Sequence, residues 1–212
     1  MKLIKNYFPN ISDNQLLKFN TLMELFEWHN AQVNMISRKD IDNLEERHVL
    51  HSLAIAKFIN FKSQTRIVDI GTGGGFPGLP LAIMFPSSKF ILVDSIAKKI
   101  KVVSELVGQL ELKNVEVINS RVETLELHVD FVISRAVAPL LDLYKWSRKH
   151  VNKDQYNDKP NGYILLKGGD LTQEKNDLKP FTGKGNKIHE IPLSIYFKEE
   201  FFSSKKIIYF AL

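Results

Sequence analysis

The 212-residue chain contains no cysteine. That excludes disulfides, thiolate metal ligation and a cysteine nucleophile, and it fits a cytoplasmic chain. No apolar run approaches the roughly 20 residues of a membrane span. The opening Met1-Lys2-Leu3-Ile4-Lys5-Asn6 lacks the long apolar stretch of a secretory signal. Internal repeats and low-complexity tracts are missing too. What is present is ordinary for a globular chain: 44% of residues are apolar, enough for a full core. The net charge of +5 is unevenly placed. Of 29 basic and 24 acidic residues, seven of each lie in residues 1–60, so residues 61–212 hold 22 and 17. A mild basic excess on that part is compatible with a polyanion partner.

The most informative stretch is 66–78, Arg-Ile-Val-Asp-Ile-Gly-Thr-Gly-Gly-Gly-Phe-Pro-Gly. Ile67 to Ile70 reads as a buried strand. Glycines at 71, 73, 74, 75 and 78 allow a left-handed backbone and close approach of a ligand. Pro77 suits the first turn of a helix. Strand, glycine turn and helix N-terminus together make a concave edge of backbone N–H groups.

Before this stretch, Leu16, Phe19, Met23 and Phe26 recur at helical spacing, with Leu22 and Leu25 widening the stripe. A helix over 12–36 is expected, capped by Ser12 or Asp13, with Trp28 and Met35 in the core. A second helix is expected over 40–60, with Leu50, Leu53, Ala54 and Phe58 on one side and His48 and His51 as a packed or solvent-facing pair. After the stretch, strands are expected at Lys89–Asp94, Val115–Ile118, Asp130–Ser134 and Tyr163–Lys167. Helices are expected at Leu79–Met84, about Ile100–Leu110 and Leu140–His150. Two more β-like runs lie near Ile188–Leu193 and Ile207–Phe210. Repeated strand–helix alternation argues for a parallel sheet covered on both faces. The expected division is a helical extension over 1–60 and a ligand-binding domain over 61–212. In such a sheet, ligands bind outside the carboxyl ends of the strands.

Two ligand classes compete for that edge. Gly73-x-Gly75-x-x-Gly78 formally matches the dinucleotide fingerprint, with Asp94 at about the distance of a ribose contact. A nicotinamide-dependent oxidoreductase is therefore an alternative, and a non-catalytic RNA-binding module is another. On the other side, Asp69-x-Gly71-x-Gly73-x-Gly75 resembles the first motif of class I methyltransferases, which use S-adenosylmethionine. Asp94 resembles their second, a carboxylate that grips the ribose diol, and Val122-Glu123 lies where that class reads the adenine.

A sharper resemblance covers roughly residues 28–170. Asp69-Ile-Gly-Thr-Gly-Gly-Gly-Phe-Pro-Gly-Leu-Pro-Leu-Ala is very like the glucose-inhibited division protein B family, the small-subunit ribosomal RNA guanine-N7 methyltransferases. So are Asp94-Ser95-x-x-Lys98-Lys99, Arg121-Val122-Glu123, Ser134-Arg135-Ala136-Val137-Ala138-Pro139-Leu140 and Leu166-Lys167-Gly168-Gly169. Asn34-Met35-Ile36-Ser37 and Arg47-His48-x-x-x-Ser52-Leu53 are similar as well, although His51 stands where the family has aspartate.

The resemblance implies a Rossmann-like fold with a mostly parallel seven-stranded sheet, and S-adenosylmethionine as cofactor, leaving S-adenosylhomocysteine. It implies 16S ribosomal RNA or the small ribosomal subunit as partner, with no DNA, no membrane and a cytoplasmic monomer expected. Gly71, Gly73 and Phe76 would give backbone contacts to the methionine part. Asp94 with Ser95 would take the ribose side, and Val122 and Glu123 would flank the adenine. Arg135 would touch the cofactor carboxylate or an RNA phosphate. Lys98, Lys99 and Lys167 would meet RNA phosphates.

The remaining residues agree with that chemistry. Methylating a pyrimidine C5 requires the missing cysteine. Methylating an exocyclic amine goes with an Asn/Asp-Pro-Pro-aromatic motif, where this chain reads Ser134-Arg135-Ala136. A metal-dependent hydroxyl methyltransferase needs clustered carboxylates there. A ring nitrogen such as guanine N7 already has a free lone pair and needs no base, so positioning suffices. No metal is expected.

Overall fold

The computed structural model describes residues 1–182 and 187–212, with the backbone alone for Arg38 and Lys39. A short helix, α1 (Lys2–Tyr7), and a 20-residue helix, α2 (Asp13–Gln32), open the chain. Ser12 and Gln15 close a capping box on α2, each side chain accepting from the other's backbone N–H (3.3 and 3.1 Å). The stripe of α2 buries Phe19, Leu22 and Phe26. Trp28 is 59% exposed, which corrects its expected place in the core. It lies two residues past Phe26, about 200° around the helix. Met35 is buried as expected.

The expected second helix is broken. Residues Arg38–Ile41 form one turn, α3, and Glu45–Leu50 wind as a π-helix that runs into α4 (His51–Phe58). A π-turn inside a helix is rare and often sits at a functional site.

The sheet has seven strands: β1 (Arg66–Ile70), β2 (Lys89–Asp94), β3 (Val115–Asn119), β4 (Phe131–Arg135), β5 (Gly162–Gly168), β6 (His189–Pro192) and β7 (Lys205–Ala211). Their order is β3-β2-β1-β4-β5-β7-β6. All neighbours pair in parallel except β7, which runs antiparallel to β5 and to β6. Between them run α5 (Gly78–Met84), α6 (Ala97–Gln109), α7 (Leu140–Ser147, then a 3-10 turn to His150) and α8 (Thr172–Leu178). Order reverses between β1 and β4, the switch point at which open α/β sheets bind ligands.

Alternate strand residues feed two buried clusters. Ile67, Phe90, Phe131 and Ile164 face the N-terminal helices, and Ile4, Phe19, Leu50 and Leu53 join the same cluster. Val68, Ile91, Val132 and Tyr163 face α7 and α8. The sheet is thus buried on both faces, which is why its central strands are continuous apolar runs. Among the described residues, no helix is long and apolar enough to cross a membrane.

Candidate active site

The glycine turn leaves β1 with φ of +65° at Gly71, +58° at Gly73 and +89° at Gly75. The peptide Phe76-Pro77 is cis, and Pro77 sits at the N-cap of α5. Gly71 and Thr72 both donate backbone N–H to Val93 O (2.8 and 3.0 Å), which ties the turn to β2. A Cβ on Gly71 would press into Val137 at 2.6 Å, so the loop after β4 lies directly on the turn. Gly73 differs: a Cβ there would find nothing nearer than 3.9 Å.

A cavity of about 510 Å³ opens over Gly73. Gly71, Gly73, Phe76, Asp94, Ser95, Val122, Glu123 and Arg135 all line it, as does Lys99. Lys98 is exposed beside it on α6. Lys167 lies elsewhere: its ammonium donates to Ala138 O (2.6 Å) and Glu174 Oε2 (2.9 Å) and holds the end of β5 to α8. A larger cleft, about 820 Å³, lies at the opposite sheet edge, where β1, β2 and β3 begin at Arg66, Lys89 and Val115. It is remote from every strand carboxyl end.

One carboxylate lines the cavity, and a second lies behind the glycine turn, outside the lining. Asp94 ends β2 and accepts N–H from Gly73 on Oδ2 and from Ile96 on Oδ1, both at 2.9 Å. A carboxylate offers about four acceptor positions, so two remain. Asp69, one strand over, is fully buried. Its Oδ2 accepts from Thr72 Oγ1 (2.7 Å) and from Gly78 N (2.9 Å), while Oδ1 has no partner. Burial pushes the Asp69 carboxyl up to about 7, against those two hydrogen bonds and Arg135.

The walls come from loops. Asn30 Oδ1 accepts from Met35 N (2.8 Å) and Ile36 N (2.9 Å), bringing that loop to the rim. His150 Nε2 donates to Val122 O (3.1 Å) and its Nδ1 accepts from Leu127 N (3.3 Å), which pins Val122.

Arg135, at the end of β4, is held by the π-turn. In an α-helix His51 N–H would bond to Arg47 O. Here it reaches back to Glu46 O, and Arg47 O is left for Arg135 Nη1 (3.2 Å). Arg135 Nη2 donates to His48 Nδ1 (2.9 Å), because a guanidinium has no acceptor. The guanidinium lies 5.2 Å from the centroid of the Phe76 ring. Burial and the Arg135 charge lower His48 to about 3, so the ring is neutral. Burial lowers Arg135 to about 10, which keeps it charged at neutral pH. The pair His48 and His51 is therefore packed and neutral. The π-turn is the feature that sequence reasoning missed; a single extra residue per turn leaves no periodic signal.

This cavity, its glycine turn and its terminal carboxylate have relatives. The family described as rRNA small subunit methyltransferase G matches residues 15–190. The chain belongs to that family. A Phocaeicola vulgatus protein named ribosomal RNA small subunit methyltransferase G is 51% identical over 209 residues, covering 99% of this chain and 97% of its own. The Porphyromonas gingivalis protein of that name is 47% identical over 212 residues, covering 100% and 93%. A SAM-dependent methyltransferase from Aquifex aeolicus superposes with a TM-score of 0.57 at 19% identity, over 82% of this chain and 98% of its own. A SAM-dependent O-methyltransferase from Thermotoga maritima gives 0.56 at 14%, over 82% and 70%. These two likenesses establish the fold.

Membership in the rRNA small subunit methyltransferase G family makes the chain an S-adenosylmethionine-dependent methyltransferase. The residues present fit that cofactor. Gly73 leaves an open cradle, and Asp94 keeps two acceptor positions for a diol. The residue signals for a dinucleotide thus belong to a methyltransferase turn.

Proposed function

We propose that the chain methylates N7 of a guanine in the RNA of the small ribosomal subunit. Family membership supports the RNA. The observation that carries the atom is the arrangement around Arg135: the nearest histidine is a neutral acceptor locked on the guanidinium, both oxygens of Asp94 already accept backbone N–H groups, and Asp69 is buried behind the glycine turn, outside the cavity lining. Such a site holds reactants and removes no proton. N7 needs none removed, being an unprotonated lone pair near neutral pH. When bound, S-adenosylmethionine supplies a methyl on a positively charged sulfur, which a ring-nitrogen lone pair takes in line.

The chain's own groups divide the work of alignment. Backbone at Gly71, Gly73 and Phe76 would hold the methionine part, Asp94 with Ser95 the ribose, and Val122 and Glu123 the adenine. Arg135 would fix either the cofactor carboxylate or an RNA phosphate. Its position is set by Arg47 and His48 before any ligand arrives, so little reorganisation is left for the reaction. Lys98, exposed, and Lys99, half-buried at the cavity rim, both in the first turn of α6, would meet RNA phosphates. The chain would act as a cytoplasmic monomer, with 1–60 as an extension that steadies Arg135.

The test is to incubate small subunits from cells lacking this protein with isotope-labelled S-adenosylmethionine, then digest the RNA to nucleosides. Label in 7-methylguanosine supports the assignment. Label in another nucleoside refutes it.

A further inference from the structure

Two aromatic rings line the cofactor cavity, Phe76 and Trp146. The Phe76 ring is already engaged. Phe26 packs edge to face on it with centroids 5.0 Å apart, the His48 ring lies at 5.4 Å, and the Arg135 guanidinium at 5.2 Å. Trp146, near the end of α7, is half-buried against the apolar cluster on that face of the sheet. Among the described residues, no ring and no cation stands on its indole.

Helical spacing gives this ring its place. Trp146 lies three residues before Lys149 and four before His150, so the three share one side of α7 and its 3-10 continuation. Lys149 Nζ donates to Glu123 O (2.9 Å) and His150 Nε2 to Val122 O (3.1 Å). That side therefore faces the 3-10 turn Val122–Thr124, and Trp146 lines the cavity with Val122 and Glu123. The acceptors of the turn are largely spent. Val122 O accepts a second time, from Leu125 N (3.1 Å). Arg121 O accepts from Thr124 N (3.1 Å) and Thr124 Oγ1 (2.8 Å). A carbonyl oxygen has two lone pairs, so both oxygens are full. A purine placed here meets apolar surface and an indole, with little backbone left to read its edge.

We propose that Trp146 is the aromatic wall of the adenine subsite, and that its contact with the purine supplies much of the affinity for the cofactor. The proposal rests on the placement of the adenine beside Val122 and Glu123 given above. A purine is a large flat π-system that gains from an aromatic neighbour whatever its edge does. The Trp146 ring is held from behind by the apolar cluster, and the helix that carries it is bonded to the turn on which the adenine rests. The wall is thus in place before the ligand arrives, and binding orders little that was free. Phe76, taken by Phe26, His48 and Arg135, serves the other end of the cavity.

The test reads binding directly, on the full chain, with S-adenosylhomocysteine as the probe. The chain has two tryptophans, so Trp28→Phe leaves Trp146 as the sole indole. Titrating that variant should change its emission saturably, with the dissociation constant that calorimetry gives. Trp146→Phe leaves only the exposed Trp28 and should show no change on titration. Trp146→Leu keeps apolar bulk against the cluster and removes the ring. Its affinity in calorimetry should fall about tenfold, the loss of one base–aromatic contact, and Trp146→Phe should recover most of it. KM for small subunits at saturating cofactor should stay at the wild-type value in both. Emission that ignores the ligand in Trp28→Phe, or wild-type affinity in Trp146→Leu, would overturn this role of Trp146. The first of these leaves Trp146 untouched, so it decides the matter even if Trp146→Leu fails to fold. A wild-type chain that does not bind S-adenosylhomocysteine in calorimetry would instead refute the cofactor reading beneath it.

Discussion

Asp69 and His48 pull the stability of the folded chain in opposite directions as pH changes. His48 falls from 6.5 to about 3 on folding, mainly by burial, and His51 moves the same way. Below about 6.5 the unfolded chain takes up protons that the folded chain refuses, so stability is lost as pH falls. Asp69 rises from 3.8 to about 7, again mainly by burial. Between about 4 and 7 the folded chain keeps a proton that the unfolded chain releases, so this group lowers stability as pH rises. In the overlap, two histidines oppose one carboxyl. Stability should rise with pH from 4.5 to 6.5, by about 1.4 kcal/mol per pH unit for each net proton. Asp69→Asn removes the opposing group and should steepen that rise. Urea unfolding at pH 4.5, 5.5 and 6.5 measures it; a slope unchanged by the substitution would contradict the raised carboxyl. Asp94 allows a second test. Both its oxygens already accept N–H, so Asp94→Asn would turn an amide donor against Gly73 or Ile96. Affinity for S-adenosylhomocysteine should drop at least about tenfold, since hydrogen bonds to a charged group are worth roughly 1.5–3 kcal/mol. Calorimetry giving the wild-type affinity would remove Asp94 from the site.

Two glycines separate what the elements need from what the ligand needs. Gly162 opens β5 opposite Ala211 of β7. A Cβ there would lie 2.2 Å from Phe210 O and 2.8 Å from Ala211 Cα, backbone atoms that cannot turn aside. Gly162→Ala should cost at least about 2 kcal/mol of stability, as forced overpacking does. Gly73→Ala meets no atom and bears only the left-handed backbone, about 1–2 kcal/mol. Its larger effect should be on cofactor affinity, because the added methyl stands in a turn that lines the cavity. Denaturant unfolding and calorimetry on both variants should therefore rank them in opposite orders. The same elements show where sequence reasoning reaches. Strands β1, β2, β4 and β5 were legible because a sheet covered on both faces demands unbroken apolar runs. Helices α1 and α8 were not: each buries one side chain, Ile4 or Leu178, and a single residue has no period. Trp28 was misplaced because a large apolar residue does not by itself mark the buried face of a helix.

At the scale of the whole molecule, the cavity at the strand ends was readable and the support for Arg135 was not. The glycine turn, Asp94 and Val122-Glu123 each lie within a short contiguous motif, and all of them line one cavity. Arg135 depends on a contact across 88 residues to a carbonyl freed by a π-turn, and no local pattern encodes that. The π-turn and the sheet thus meet at a charged group, with neutral His48 as the intermediary. If the molecule works by holding two reactants in line, the chemical step should not titrate with any carboxylate or histidine of the site. The direct measurement is the single-turnover rate of methyl transfer at saturating cofactor and small subunits, followed from pH 6 to 9. The expected result is a nearly flat profile. A rate that climbs tenfold per pH unit over part of that range would show an essential base, and would contradict methylation of an unprotonated N7 by alignment alone.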